Sequence, residues 1–234
     1  MLEIVSNHSL SHYLKNDWVF EELNLLRNEK KDLYTSDNWL LSAPAKRCIF
    51  NLLYGDLRNA STKMRILDVG GGLSCFAWSQ LGKIDYEVLD LFHHESPQAL
   101  HKFSKAFPSA KLIHSDWEQF EITHDYDLII ANDLFPNVDQ RVDEFIEKFS
   151  SHTTEIRMSL TYYNQRRCYQ VKRVDADEVF FIRPWNGQQL HAVLSPFMEP
   201  IQHDTFKRLA LGKESIFENG RQVCTISIKG GYKK

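Results

Sequence analysis

Cysteine is sparse: four residues, Cys48, Cys75, Cys168 and Cys224, are spread over 234 positions and no CxxC pair occurs. That spacing gives no disulfide framework and no metal motif, and buried free thiols in a reducing cytosol are the simplest reading. An excess of basic charge is missing too. Lys and Arg number 28 against 31 Asp and Glu, a formal net charge of -3, so no global field draws the chain to nucleic acid. No apolar run approaches the ~20 residues of a membrane span. The opening "MLEIVSNHSLSHYLKNDW" lacks the basic start and long apolar core of a signal peptide. The expectation is a cytoplasmic protein with neither a nucleic-acid nor a membrane partner. With no internal repeat and no low-complexity linker, the chain divides into an N-terminal helical extension, 1–60, and one domain, 61–234.

What is present is the composition of a globular chain, 43% hydrophobic and 25% charged. Spacings of three and four among Trp18, Val19, Leu23 and Leu26 predict a helix over 12–29. A second helix starts near "SAPAKRCIFNLLY", with Ser42 as its cap and Pro44 in its first turn. From residue 64 four apolar runs, "MRILDV", "YEVLDL", "AKLIHS" and "YDLIIAN", alternate with the helix-compatible "SCFAWSQL" and "PQALHKFSKAF". Such alternation implies a parallel sheet with crossover helices. "VDEFIEKFSS" continues as a helix and "EIRMSLTYY" as a fifth strand. Beyond it, a hairpin over about 166–184, a helix at "GQQLHAVLSPF" and a last strand at "VCTISIKG" make the sheet mixed at one edge.

The strand "RILDV" runs straight into three glycines, Gly70, Gly71 and Gly72. Side-chain-free backbone at that point lets a ligand lie against main-chain N–H groups, and the helix starting near Ser74 presents its positive end to an anion. The alternative is a tight turn that binds nothing. A P-loop is excluded because no G-K-[ST] follows, and Cys75 stands where a dinucleotide fingerprint needs its third glycine. Asp90 ends the second run, twenty residues past Gly70, where a carboxylate can accept two ribose hydroxyls. Asp116 follows the third, beside Trp117, placed to meet a base. A single such acid serves equally as a helix cap. Three in order, at successive strand ends, point to a nucleoside.

This ordered set resembles the class I S-adenosylmethionine-dependent methyltransferase family over about 64–160. "DVGGGLS" is similar to the family's D-x-G-x-G-x-G motif, with Ser74 at the third glycine position, and "YDLIIANDLFPNV" is similar to its fourth motif. The resemblance implies a doubly wound, mostly parallel seven-stranded Rossmann-like sheet with an antiparallel edge strand. It implies S-adenosyl-L-methionine as cofactor. Asp68 with Gly70, Gly71 and Gly72 would face its methionine end, Asp90 its ribose and Asp116 with Trp117 its adenine; Ser74, Leu91 and Asn132, the last at the mouth of the fourth strand, complete the implied cofactor-binding set.

For the chemistry, a positioned acceptor is required and, for a hydroxyl, a base within reach. His94, next to His93 in "DLFHHES", and Asp133 in "NDLF" are the candidates; the first is otherwise part of a polar loop and the second a turn cap. "NDLF" lacks the prolines of N/D-P-P-Y/F, which argues against a nucleobase amine acceptor. Tyr162 and Tyr163 either line the acceptor pocket or pack at the edge. Arg166, Arg167, Lys172, Arg173 and Arg183 either hold an anionic acceptor, such as a phosphorylated or acidic sugar, or protect a strand edge. The extension covers the cleft as a lid through Tyr34 and Trp39, or covers the sheet. The expected activity is methyl transfer to a small molecule, a sugar hydroxyl or similar. A nucleoside-binding module without catalysis is the alternative, and a nicotinamide oxidoreductase ranks below both.

Overall fold

Helices dominate the first sixty residues and strands alternate with helices after them, as the apolar pattern predicts. The structure, a computed structural model, describes residues 1–59, 64–82, 84–135, 141–164, 169–172, 179–182 and 184–231. Strand β1 (Leu2–Val5) is followed by α1 (Asn7–Tyr13), α2 (Trp18–Asn28), α3 (Thr35–Ser42) and α4 (Pro44–Tyr54). The alternating part comprises β2 (Arg65–Val69), α5 (Cys75–Leu81), β3 (Asp85–Asp90), α6 (Pro97–Ala106), β4 (Lys111–His114), β5 (Tyr126–Phe135), α7 (Val142–Phe149) and β6 (Thr153–Tyr162). Then come β7 (Tyr169–Lys172), β8 (Val179–Ile182), α8 (Gly187–Leu194), α9 (His203–Leu211) and β9 (Gln222–Lys229).

Seven strands form one sheet in the order β1-β9-β6-β5-β2-β3-β4. β6, β5, β2, β3 and β4 are mutually parallel, and β9 is antiparallel to both its neighbours. The antiparallel strand therefore lies one place in from the edge. The helical extension also supplies a strand not expected from the sequence, β1, which pairs Val5 with Val223 and takes the edge itself. Successive residues of the central strands feed two cores. Ile66, Val88, Leu128 and Ile130 pack with α4 and α5 on one face, whereas Leu67, Leu89, Ile129 and Ala131 pack with α7 and α8 on the other. Burial on both faces is why these strands read as unbroken apolar runs.

Two helix boundaries differ from expectation. The stretch 12–29 is divided: α1 ends at Tyr13, and Asp17 starts α2 afresh by accepting the Phe20 N–H at 3.2 Å. Ser42 closes α3 and donates to the Trp39 carbonyl (3.0 Å), so Ala43 precedes α4 in its place. Pro44 forces that preceding residue into extended backbone, and Ala43 has φ -137° and ψ 108°. β7 and β8 form the expected hairpin, separate from the main sheet; Arg166, Arg167, Arg173 and Arg183 lie outside the described residues. No described helix is long and apolar enough to cross a membrane.

Candidate functional site

Strand order reverses at β2. The chain runs outward through β3 and β4, then returns to β5 on the other side of β2. At the carboxyl ends of these strands, where doubly wound sheets bind ligands, opens a cleft of about 430 Å³. Every residue expected to bind the cofactor lines this one cleft, and so do the candidate bases His94 and Asp133.

The glycine loop forms its floor. Gly70 and Gly72 have φ of +75° and +63°, a region side chains disfavour. Gly70 N–H donates to the Leu89 carbonyl (2.8 Å), and a Cβ at Gly72 would stand 2.6 Å from Ser36 Oγ. Ser36 in turn donates to the Gly71 carbonyl at 3.1 Å. The Gly71 N–H has no acceptor among the described residues.

Each strand-end acid has a distinct part. Asp90 Oδ2 accepts the Gly72 N–H (3.0 Å) and Oδ1 the Phe92 N–H (2.6 Å), so the acid fixes the loop while each oxygen keeps capacity for a further donor. Leu91, next in the chain, is 37% exposed at the cleft wall. Asp116 Oδ1 accepts the Glu118 N–H (2.9 Å), a turn cap. Trp117 stands edge-on to Phe135 and Phe145 at 6.1 and 5.3 Å, which holds its ring in place. Asp68 is only 2% exposed. Tyr86 OH donates to it at 2.6 Å and Tyr54 OH at 3.0 Å, and burial pushes its carboxyl up to about 6. It therefore supports the loop from beneath.

The start of α5 does not point its free N–H groups at the cleft. Asp37, on α3, is completely buried there. Its carboxylate accepts from Ser74 Oγ (2.6 Å), Cys75 N–H (2.9 Å), Phe76 N–H (3.1 Å) and the Tyr34 N–H (3.0 Å). Burial raises its pKa, against the pull of those four donors. Ser74 also caps α5 by accepting the Ala77 N–H at 2.9 Å. The positive helix end foreseen for a ligand is thus neutralised from within the chain. Nothing in "TSDNW" marks Asp37 for this; its partners on α5 and its cap lie 37 to 39 residues away.

At the mouth, Asp133 adopts φ +59°. Its N–H donates to Ser159 Oγ (2.8 Å), which donates to Asn132 Oδ1 (2.9 Å). Arg221 Nη2 reaches Asp133 Oδ1 at 3.4 Å. Lys46 Nζ lies 4.6 Å from the centre of the Trp39 ring, and His94 meets the same ring edge-on at 5.6 Å. Trp39 lines the cleft, whereas Tyr34 is buried against Phe103. Tyr162 and Tyr163 lie in the core and not on the cleft wall. Lys46 and Arg221 were not foreseen, because an isolated cation in a helix or turn carries no pattern.

No protein-family model and no curated protein sequence matches the chain. Solved structures do resemble it. The DhpI–SAH complex aligns with a TM-score of 0.51 over 92% of this chain and 98% of that one, at 15% identity. The CcbJ methyltransferase from Streptomyces caelestis has a TM-score of 0.48 and 10% identity, over 79% of this chain and 89% of its own. The N-terminal domain of EvdMO1 with SAH bound has 0.48 and 13%, over 77% and 79%. With the strand order, the likeness to the first establishes the fold: the chain has the Rossmann-like class I methyltransferase fold.

Proposed function

We propose that this chain is an S-adenosyl-L-methionine-dependent methyltransferase acting on a small-molecule acceptor. One observation carries the reading. A glycine loop held open by Asp90 shares a single cleft with acids at the ends of three parallel strands. The donor set fits the cofactor. Asp90 retains acceptor capacity for a ribose diol, Asp116 Oδ2 has no donor among the described residues and can take an exocyclic amine, and the Gly71 N–H awaits an acceptor. A cleft of about 430 Å³ also lies in the usual range for small-molecule sites, roughly 300–1,000 Å³.

When bound there, the cofactor supplies an electrophilic methyl group on sulfur. The chain's own residues then have to align an acceptor and take its proton. Asp133 suits the second role, because it is 37% exposed at the mouth and the Ser159–Asn132 chain fixes its backbone. His94, exposed on the Trp39 ring, is the less constrained candidate.

Calorimetric titration with S-adenosylhomocysteine tests the cofactor half. Wild type should bind, and Asp90→Ala should bind at least tenfold more weakly, since charge-assisted hydrogen bonds contribute about 1.5–3 kcal/mol. Absence of binding at millimolar ligand rejects the reading. With binding shown, mass spectrometry of metabolites incubated with enzyme and cofactor identifies the acceptor.

A further inference from the structure

We infer that the acceptor carries an oxyanion group, a carboxylate or a phosphate, and that Lys46 and Arg221 hold it at the cleft mouth. The inference rests on the methyltransferase reading and extends it to the acceptor. Both cations line the cleft and come from distant parts of the chain, Lys46 in the first turn of α4 and Arg221 just before β9. Each keeps donors unused among the described residues. Arg221 Nε is buried without a hydrogen-bond partner, and its only carboxylate among the described residues, Asp133, is at 3.4 Å. Its guanidinium lies 4.4 Å from the Phe217 ring centre, which sets the plane of the fork. Lys46 Nζ sits over the Trp39 ring and makes no hydrogen bond among the described residues.

Two cations therefore face one carboxylate. The Lys46 pKa is lowered, first by burial and also by Arg221, while Asp133 opposes both. An oxyanion between them would give the guanidinium its missing acceptor and the ammonium its counter-charge. Paired oxygens of a carboxylate or phosphate match the planar guanidinium fork. An acceptor held there would lie close to Asp133, the group proposed to take its proton. This locates anion recognition on α4 and the approach to β9.

The test titrates inorganic phosphate, and separately acetate, into protein saturated with S-adenosylhomocysteine. Heat and the emission of Trp39 are recorded, with Trp39→Phe as the optical blank. At least one anion should bind saturably, and the tighter one names the group. Lys46→Met and Arg221→Met should each weaken that binding at least tenfold, while S-adenosylhomocysteine affinity stays within twofold. Arg221→Lys, which keeps the charge, should lose less than Arg221→Met and shows that the site still folds. Three results overturn the inference: neither anion binds, both Met variants bind as wild type, or the anions compete with S-adenosylhomocysteine. The last would assign the cations to the cofactor's own carboxylate. If wild type fails to bind S-adenosylhomocysteine, the methyltransferase reading falls. The same anion titrations on the free protein still decide whether Lys46 and Arg221 form an oxyanion site.

Discussion

Asp68 sits under the glycine loop with two phenols aimed at one carboxyl group. Burial raises its pKa to about 6; Tyr86 and Tyr54 pull it down, and the nearby Asp90 charge adds a smaller upward push. Burial and Asp68 in turn hold both phenols well above their ordinary value. A carboxyl whose folded pKa lies above its unfolded 3.8 binds its proton more tightly in the fold. Its stabilising contribution is complete below pH 3.8 and is lost as pH rises through about 6. At 1.36 kcal/mol per unit, the loss amounts to about 3 kcal/mol. Asp68→Asn cannot titrate, so the stability difference between wild type and variant should change by about 2 kcal/mol, most of that loss, between pH 4 and pH 7. Urea unfolding across that window measures it, and parallel pH profiles would show that Asp68 is an ordinary acid. Ligand binding bears on the same group: a sulfonium close above the loop would favour the ionised form and shift the wild-type transition to lower pH.

Between elements, the decisive contact is α3 against α5. α5 has seven residues, too few to hold as a helix alone, and its first N–H groups are satisfied by a carboxylate from α3. Asp37→Ala leaves Ser74, Cys75 and Phe76 donors buried without their acceptor and should cost about 3 kcal/mol. Amide exchange at Cys75 and Phe76 should accelerate with it. S-adenosylhomocysteine affinity should fall too, because Ser36, the neighbour of Asp37, anchors the Gly71 carbonyl; unchanged exchange and affinity would show that α3 rests on the loop without supporting it. β2, β3, β5 and β6 could be read directly from the sequence, since burial on both faces leaves an apolar signature; β4, at the sheet edge, is only partly buried and shows through Leu112 and Ile113 alone. Asp90 and Asp116 could be placed as well, because strand ends are visible wherever apolar runs stop; Asn132 lies inside β5, which continues past the apolar run to Phe135. α3 was not legible: "TSDNWLLS" mixes polar and apolar residues without a clear stripe. Its role depends on partners more than thirty residues away, a relation no local pattern encodes. Ser42 misled for a related reason, because its capping chemistry is real but serves the helix it ends.

Across the whole molecule, the sheet is completed by residues from opposite ends of the described chain. β9 has β6 on one side and β1 on the other, and without β1 it would present an open ladder of main-chain groups. β1 was invisible in the sequence for that reason: four residues, "LEIV", become a strand only because β9 is there to receive them. Met1 and Ser227 exchange both main-chain hydrogen bonds, and antiparallel alternation makes Glu3 and Thr225 the next exchanging pair. Glu3 is exposed, so Glu3→Pro removes a ladder donor without emptying the core that holds Ile4 and Val5. The expected cost is about 2 kcal/mol, a fall in Tm of about 4–8 °C for a domain of this size. Faster amide exchange at Val223 and Thr225 should accompany it. Glu3→Gln, which keeps the N–H, should leave both unchanged. S-adenosylhomocysteine affinity should hold within twofold, because β2 and β3, which carry the glycine loop and Asp90, lie beyond β9, β6 and β5 in the sheet. Anion binding at Arg221 is the more exposed quantity, since that residue directly precedes β9. An undiminished Tm in Glu3→Pro would mean that β1 rests on the sheet through its side chains alone.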